Sequence, residues 1–167
     1  MLSCNQASDI IELDFPAMSV SECEPRKELM DALGGIDAAF AARSKFDEFL
    51  IVRSEEVIRA LTPDFTALAK VTAMRGVIVS SESNDPRFDF VSRFFAPGFG
   101  VDEDPVTGSA HCCLGPYWAK RLGKAVMTAF QASRRGGVVS VRVMANRVVL
   151  GGRVTTVAQS KLLNFTA

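Results

Sequence analysis

The sequence predicts an α+β fold: a largely antiparallel sheet wrapped around one central helix. Three observations predict it. Ala110, Cys113, Leu114, Tyr117, Trp118 and Leu122 recur at spacings of three and four, the apolar stripe of one strong helix over 108–122. Everything after that helix has the pattern of strands, over 126–132, 137–143, 147–150 and 153–162, and Val139, Val141 and Val143 alternate with Ser140 and Arg142. The helical pieces ahead of it are short, which leaves them on the outside of the sheet.

The elements follow in order. Residues 10–17, IIELDFPA, read as a strand ended by Pro16. Residues 25–33 read as a short helix that Pro25 opens and Gly34-Gly35 close, with Leu29 and Leu33 on its buried stripe. Strands at 36–43 and 47–53 join around Ser44-Lys45-Phe46. Residues 54–70 hold two helical pieces broken at Thr62-Pro63, with Pro63 able to begin the second. A β-branched strand, 75–81, leads through a polar loop, 81–87, to an aromatic strand, 88–96. Gly123 is a natural stop for the central helix. Ala145-Asn146 reads as a hairpin turn, and Gly151-Gly152 as a bend or bulge.

With 167 residues the chain can bury one sizeable core. Its net charge is zero, so no broad pull toward nucleic acid or a membrane surface is expected, and Lys120-Arg121 and Arg134-Arg135 read as solvated surface. No apolar stretch approaches a membrane span, and the polar first ten residues do not form a signal peptide. Cys4, Cys23, Cys112 and Cys113 show neither disulfide nor zinc spacing, so no metal is expected and a cytoplasmic setting is.

The most informative stretch is 93–124, RFFAPGFGVDEDPVTGSAHCCLGPYWAKRLGK. It reads as strand, loop, helix start. A helix start offers unpaired N–H groups and the positive end of the macrodipole. Thr107 is the favoured N-cap, with Asp104 ahead of Pro105 as the rival. Thr107 as cap puts Gly108, Ser109 and Ala110 in the first turn. Gly108 lets a ligand approach the backbone, and Asp104 and Ser109 flank a place that prefers an anion or a carbonyl oxygen. On residue type alone, simple capping explains Asp, Thr and Ser equally well.

The run R-F-F-x-P-x-x-G-x-x-E-D-P-V-T-G-S-A-H-x-x-L, followed by Tyr117-Trp118 and Leu122-Gly123-Lys124, resembles the signature of the PhzF-like phenazine-biosynthesis isomerase family. That family is related in fold to diaminopimelate epimerase. Weaker similarity includes Leu13-Asp14-Phe15-Pro16-Ala17 and Val149-Leu150-Gly151-Gly152. The resemblance implies one half of a two-domain fold with the active site in the cleft between the halves. It implies cofactor-free proton transfer on a small carboxylate-bearing substrate, with Asp104 and Ser109 in the active site. The helix start itself, Thr107 with Gly108, Ser109 and Ala110, is expected to bind substrate. The family's early Gly-Asn-Pro motif is absent. The expectation is therefore a C-terminal domain over 21–167, with 1–20 the remnant strand of a missing N-terminal half that would carry the catalytic glutamate. A chain so truncated is expected to be weak or inactive alone, and to dimerise or to join its missing half in order to cover the edge of strand 10–17. The rival expectation is a non-catalytic anion-binding or assembly module.

Other candidates read as structural. Ser109 lies outside any G-x-S-x-G elbow, so its expected role is to orient substrate. His111, the only histidine, reads as a satisfied core residue. Cys112 and Cys113 invite comparison with the cysteine pair of diaminopimelate epimerase, but packing is the expected role. Arg93 and Arg134 divide evenly between carboxylate binding and solvated surface.

Overall fold

The computed structural model describes residues 3–7 and 9–160. Its strands are β1 (Ser3–Ala7), β2 (Ile10–Pro16), β3 (Ser21–Glu22), β4 (Phe40–Arg43), β5 (Asp47–Ile51), β6 (Gly76–Glu82), β7 (Phe90–Phe95), β8 (Val126–Gln131), β9 (Gly137–Met144) and β10 (Arg147–Arg153). Its helices are α1 (Lys27–Ala32), α2 (Glu55–Ala60), α3 (Phe65–Val71) and α4 (Gly108–Leu122), with a 3₁₀ turn at Pro97–Phe99. The strands form a single sheet in the order β1-β2-β10-β9-β8-β7-β6-β5-β4-β3.

The sheet is mixed rather than simply antiparallel. β5 pairs with β6, and β7 with β8, in parallel. The reason lies in the connections. Helices α2 and α3 carry the chain from β5 to β6, and α4 carries it from β7 to β8. Parallel neighbours require such crossovers, whereas hairpins give antiparallel ones.

Both faces of the central strands are buried, which explains apolar runs such as Phe49-Leu50-Ile51 and Val77-Ile78-Val79. On the concave face, Phe49, Ile51, Ile78, Phe90, Phe94, Val141 and Leu150 pack against Ala110, Leu114 and Trp118 of α4. On the other face, Leu50, Val77, Val79, Val91 and Phe95 pack against Leu29, Leu33, Ile58 and Leu68 of the small helices. Residues one apart on a strand thus serve two cores, as the period of two requires. Trp118 is anchored by its indole N–H, which donates to Ser80 Oγ at 3.0 Å. Gly115 lets α4 lie close to the sheet, since a Cβ there would sit 3.0 Å from Val141 Cγ1. Gly123, at φ 67°, ends the helix in the left-handed region as expected.

Several sequence expectations need correction. The strand expected at 36–43 begins only at Phe40, because Gly34 and Gly35 take positive φ and Ile36 bonds back to Met30. Pro63 precedes α3 without opening it: the N-cap is Asp64, whose carboxylate accepts from Ala67 N. Gly151-Gly152 makes no bulge. They stay in register with Glu12 and Ile11, and β10 runs on to Arg153. Gly151 is needed for a close approach, since a Cβ there would lie 2.3 Å from Ser140 Oγ. No strand occupies 154–160, and the rest of the expected strand at 153–162 lies outside the described residues. Finally, the strand at 10–17 does not lack neighbours. β2 pairs with β10 on one side and with β1 on the other. The polar β1 went unread because an edge strand need bury no apolar face.

Candidate active site

Two hydrogen-bonded knots hold the loop at the start of α4. The first surrounds Asp104 and Thr107. Thr107 is the N-cap residue, as favoured, but its hydroxyl does not cap the helix. It donates instead to Asp104 Oδ2 and accepts from Gln131 Nε2 at 3.1 Å. Gln131, fully buried at the end of β8, also accepts from Thr107 N at 2.8 Å and donates to Asp104 O at 2.7 Å. Asp104 N bonds Phe94 O on β7, and Ser133 Oγ donates to Pro105 O. The loop is therefore pinned to β7, β8 and the turn after β8.

The second knot holds Ser109. Its hydroxyl accepts from Arg75 Nη2 at 2.9 Å. Arg75 in turn grips Asp47, with Nε to Oδ1 at 2.9 Å and Nη2 to Oδ2 at 2.5 Å. Asp47 is 0% exposed, so its charge depends on that fork. Hydrogen bonding to Asp47 holds the Arg75 guanidinium above its usual pKa, and the charge of Asp104 adds to this. No direct bond joins Asp104 to Ser109; Arg75 is the group on which both act.

Because Thr107 spends its hydroxyl on Asp104, the amides of Gly108, Ser109 and Ala110 find no partner among the described residues. They form the open, positive end of a 15-residue helix. Gly108 is exposed and, with Val106, lines a hollow of about 1030 Å³ along β2, β10 and β9. Asp104 and Ser109 are half-buried and do not line it.

The remaining candidates resolve as follows. His111 is 0% exposed, and its Nδ1 lies 2.8 Å from Thr107 O, so it serves as a core residue. Burial pushes the Cys112 thiol up to about 11 and the Cys113 thiol up to about 12, which suits packing and not nucleophilic chemistry. Arg93 is neither free for substrate nor solvated. It forks onto Glu103 at 2.6 and 3.0 Å and donates to Leu61 O at 2.9 Å. Arg134 lies exposed. Among the described residues no group of His, Cys, Asp and Glu could hold a metal, and no helix is long and apolar enough to cross a membrane. Sequence reasoning missed Gln131, Arg75 and Asp47. Nothing local marks them; only their place in the sheet brings them to the loop.

A sheet wrapped on one helix, with a pinned loop at the open helix end, defines a protein of the PhzF-like fold class. A crystal structure of a PhzF-family phenazine biosynthesis protein from Enterococcus faecalis matches with a TM-score of 0.87 at 38% identity, over 94% of this chain and 59% of that one. The profile of the PhzC-PhzF family, described as phenazine biosynthesis-like protein, matches residues 4–160. The chain belongs to this family. The match takes in the stretch expected to be a remnant strand as well as the loop. An uncharacterized isomerase of Halalkalibacterium halodurans is 43% identical over 98% of this chain, and one of Pseudomonas aeruginosa 46% identical over 96%. The chain spans 61% and 60% of the lengths of these two relatives.

Proposed function

We propose that this chain forms one wall of a PhzF-like isomerase or epimerase site, for cofactor-free proton transfer on a small carboxylate-bearing molecule. The observation that carries this reading is the first turn of α4, unpartnered among the described residues, with Asp104 pinned by Thr107 and Ser109 held by Arg75. In this reading, the amides of Gly108, Ser109 and Ala110 hold the carboxylate, since an anion is stabilised at a helix N-terminus. Asp104 keeps Oδ1 without a partner among the described residues while Oδ2 is occupied by Thr107, so one oxygen is left for a substrate donor. Glu48, Glu55 and Glu103 are each paired with arginine, and in this reading the glutamate of the family mechanism comes from an opposing wall. Without it, turnover by the isolated chain is expected to fall by about a hundredfold or more.

The test is isotope exchange in heavy water with cyclic and amino-acid carboxylates. Slow exchange by the wild type that disappears in Asp104→Ala supports the reading. Equal background exchange in both variants removes it for this chain.

A second reading is a non-catalytic anion-binding module that pairs with a second copy. It is favoured by the hollow beside Gly108, where Ile10, Leu13, Val138 and Val154 remain partly exposed.

A further inference from the structure

Ser109 has a defined hydrogen-bond direction. A serine hydroxyl offers one proton and two acceptor sites, and a guanidinium can only donate. The 2.9 Å contact from Arg75 Nη2 therefore fills an acceptor site on Ser109 Oγ. The hydroxyl proton is left to give away, and no described group receives it. Arg75 has little freedom to abandon this role. Asp47, wholly buried, holds both Nε and Nη2, and the guanidinium lies over the rings of Phe46 and Phe94, at 5.5 and 5.6 Å from their centroids. The fork geometry is one that lysine cannot reproduce.

We propose that Arg75, locked by Asp47, is a positioning residue that occupies one acceptor site of Ser109 Oγ and turns its hydroxyl proton toward the ligand. The site thereby favours an acceptor oxygen, of a carboxylate or carbonyl, at that point. The inference rests on the carboxylate-binding reading of the loop but concerns Arg75 and Asp47, which that reading does not use.

The test uses the ¹⁵N-labelled full chain titrated with benzoate. The amide signals of Gly108, Ser109 and Ala110 are followed, and circular dichroism confirms folding. The key variant is Asp47→Leu with Arg75→Met. It leaves net charge unchanged and replaces a buried ion pair by apolar groups, which proteins commonly tolerate. Benzoate is expected to bind this variant about fivefold more weakly than wild type, the worth of one hydrogen bond. Ser109→Ala is expected to lose the same amount, and the triple variant no more than either, because the three residues act through one proton. Arg75→Lys keeps the charge but not the fork and is expected to bind more weakly than wild type. Wild-type affinity in the Asp47→Leu/Arg75→Met variant or in Arg75→Lys, or additive losses in the triple variant, overturns the role of Arg75 while leaving the anion site standing. If benzoate moves none of the three amides in the wild type, the anion site itself fails, and the role of Arg75 with it.

Discussion

His111 sits at 0% exposure beside the ring of Phe90, with Nδ1 at the Thr107 carbonyl and Nε2 buried without a partner among the described residues. A proton on Nδ1 satisfies that carbonyl and leaves Nε2 bare, so the ring is neutral. Burial lowers its pKa below the usual value. The consequence for stability has a definite sign. Above the unfolded-state pKa of about 6.5 both states are neutral and His111 adds no pH dependence. As pH falls below that, the unfolded chain takes the proton first, and stability drops by at most about 1.4 kcal/mol per pH unit until the lowered folded value is reached. Urea unfolding at pH 7 and pH 5.5 is expected to show a larger acid loss in the wild type than in His111→Asn; equal losses would refute the assignment. At this scale the sequence was partly legible. The types Asp104, Thr107 and Ser109 were readable as a helix start. Their individual partners were not, because Gln131 lies 24 residues from Thr107, and Arg75 lies 34 from Ser109.

Elements set how firmly the loop is held. Val106, inside the loop, rests on the first residue of β9, and a Cβ added at Gly137 would meet Val106 Cγ2 at 2.3 Å. Gly137→Ala must therefore push Val106 and the loop outward. It is expected to cost about 1–3 kcal/mol of stability through overpacking. It should also displace the amide signals of Gly108 and Ser109 without any ligand; unchanged signals would show that Val106 does not support the turn. The helical period of α4 and its Gly123 stop were plain in the sequence, because both are local. The parallel pairs were not. A strand buried on both faces, such as Asp47–Ile51, shows an apolar run but no direction. Direction comes from the crossover helices that link it to its neighbour.

Across the whole molecule, one sheet separates two cores. The concave one holds α4, and the outer one is closed by α1, α2 and α3. The wrap leaves the hollow along β2, β10 and β9 uncovered, with Val138 52% exposed. This face, and not an unpaired β2, is where the partner reading now rests. If a second copy covers it, light scattering at micromolar concentration should report a dimer that Val138→Lys returns to monomer; a monomeric wild type would rule that partner out.

The sequence alone determined the central helix, most of the strands before and after it, and the loop whose residues place the chain with its family. Each of these is written in neighbouring residues, as a period of burial or an uninterrupted motif. The tertiary structure decided that Asp47 and Arg75 govern Ser109, that Gln131 governs Asp104 and Thr107, and that Thr107 leaves the amides of α4 open. Those contacts depend on strand order and on two parallel crossovers, and the local periodicity of burial is the same whichever strands become neighbours.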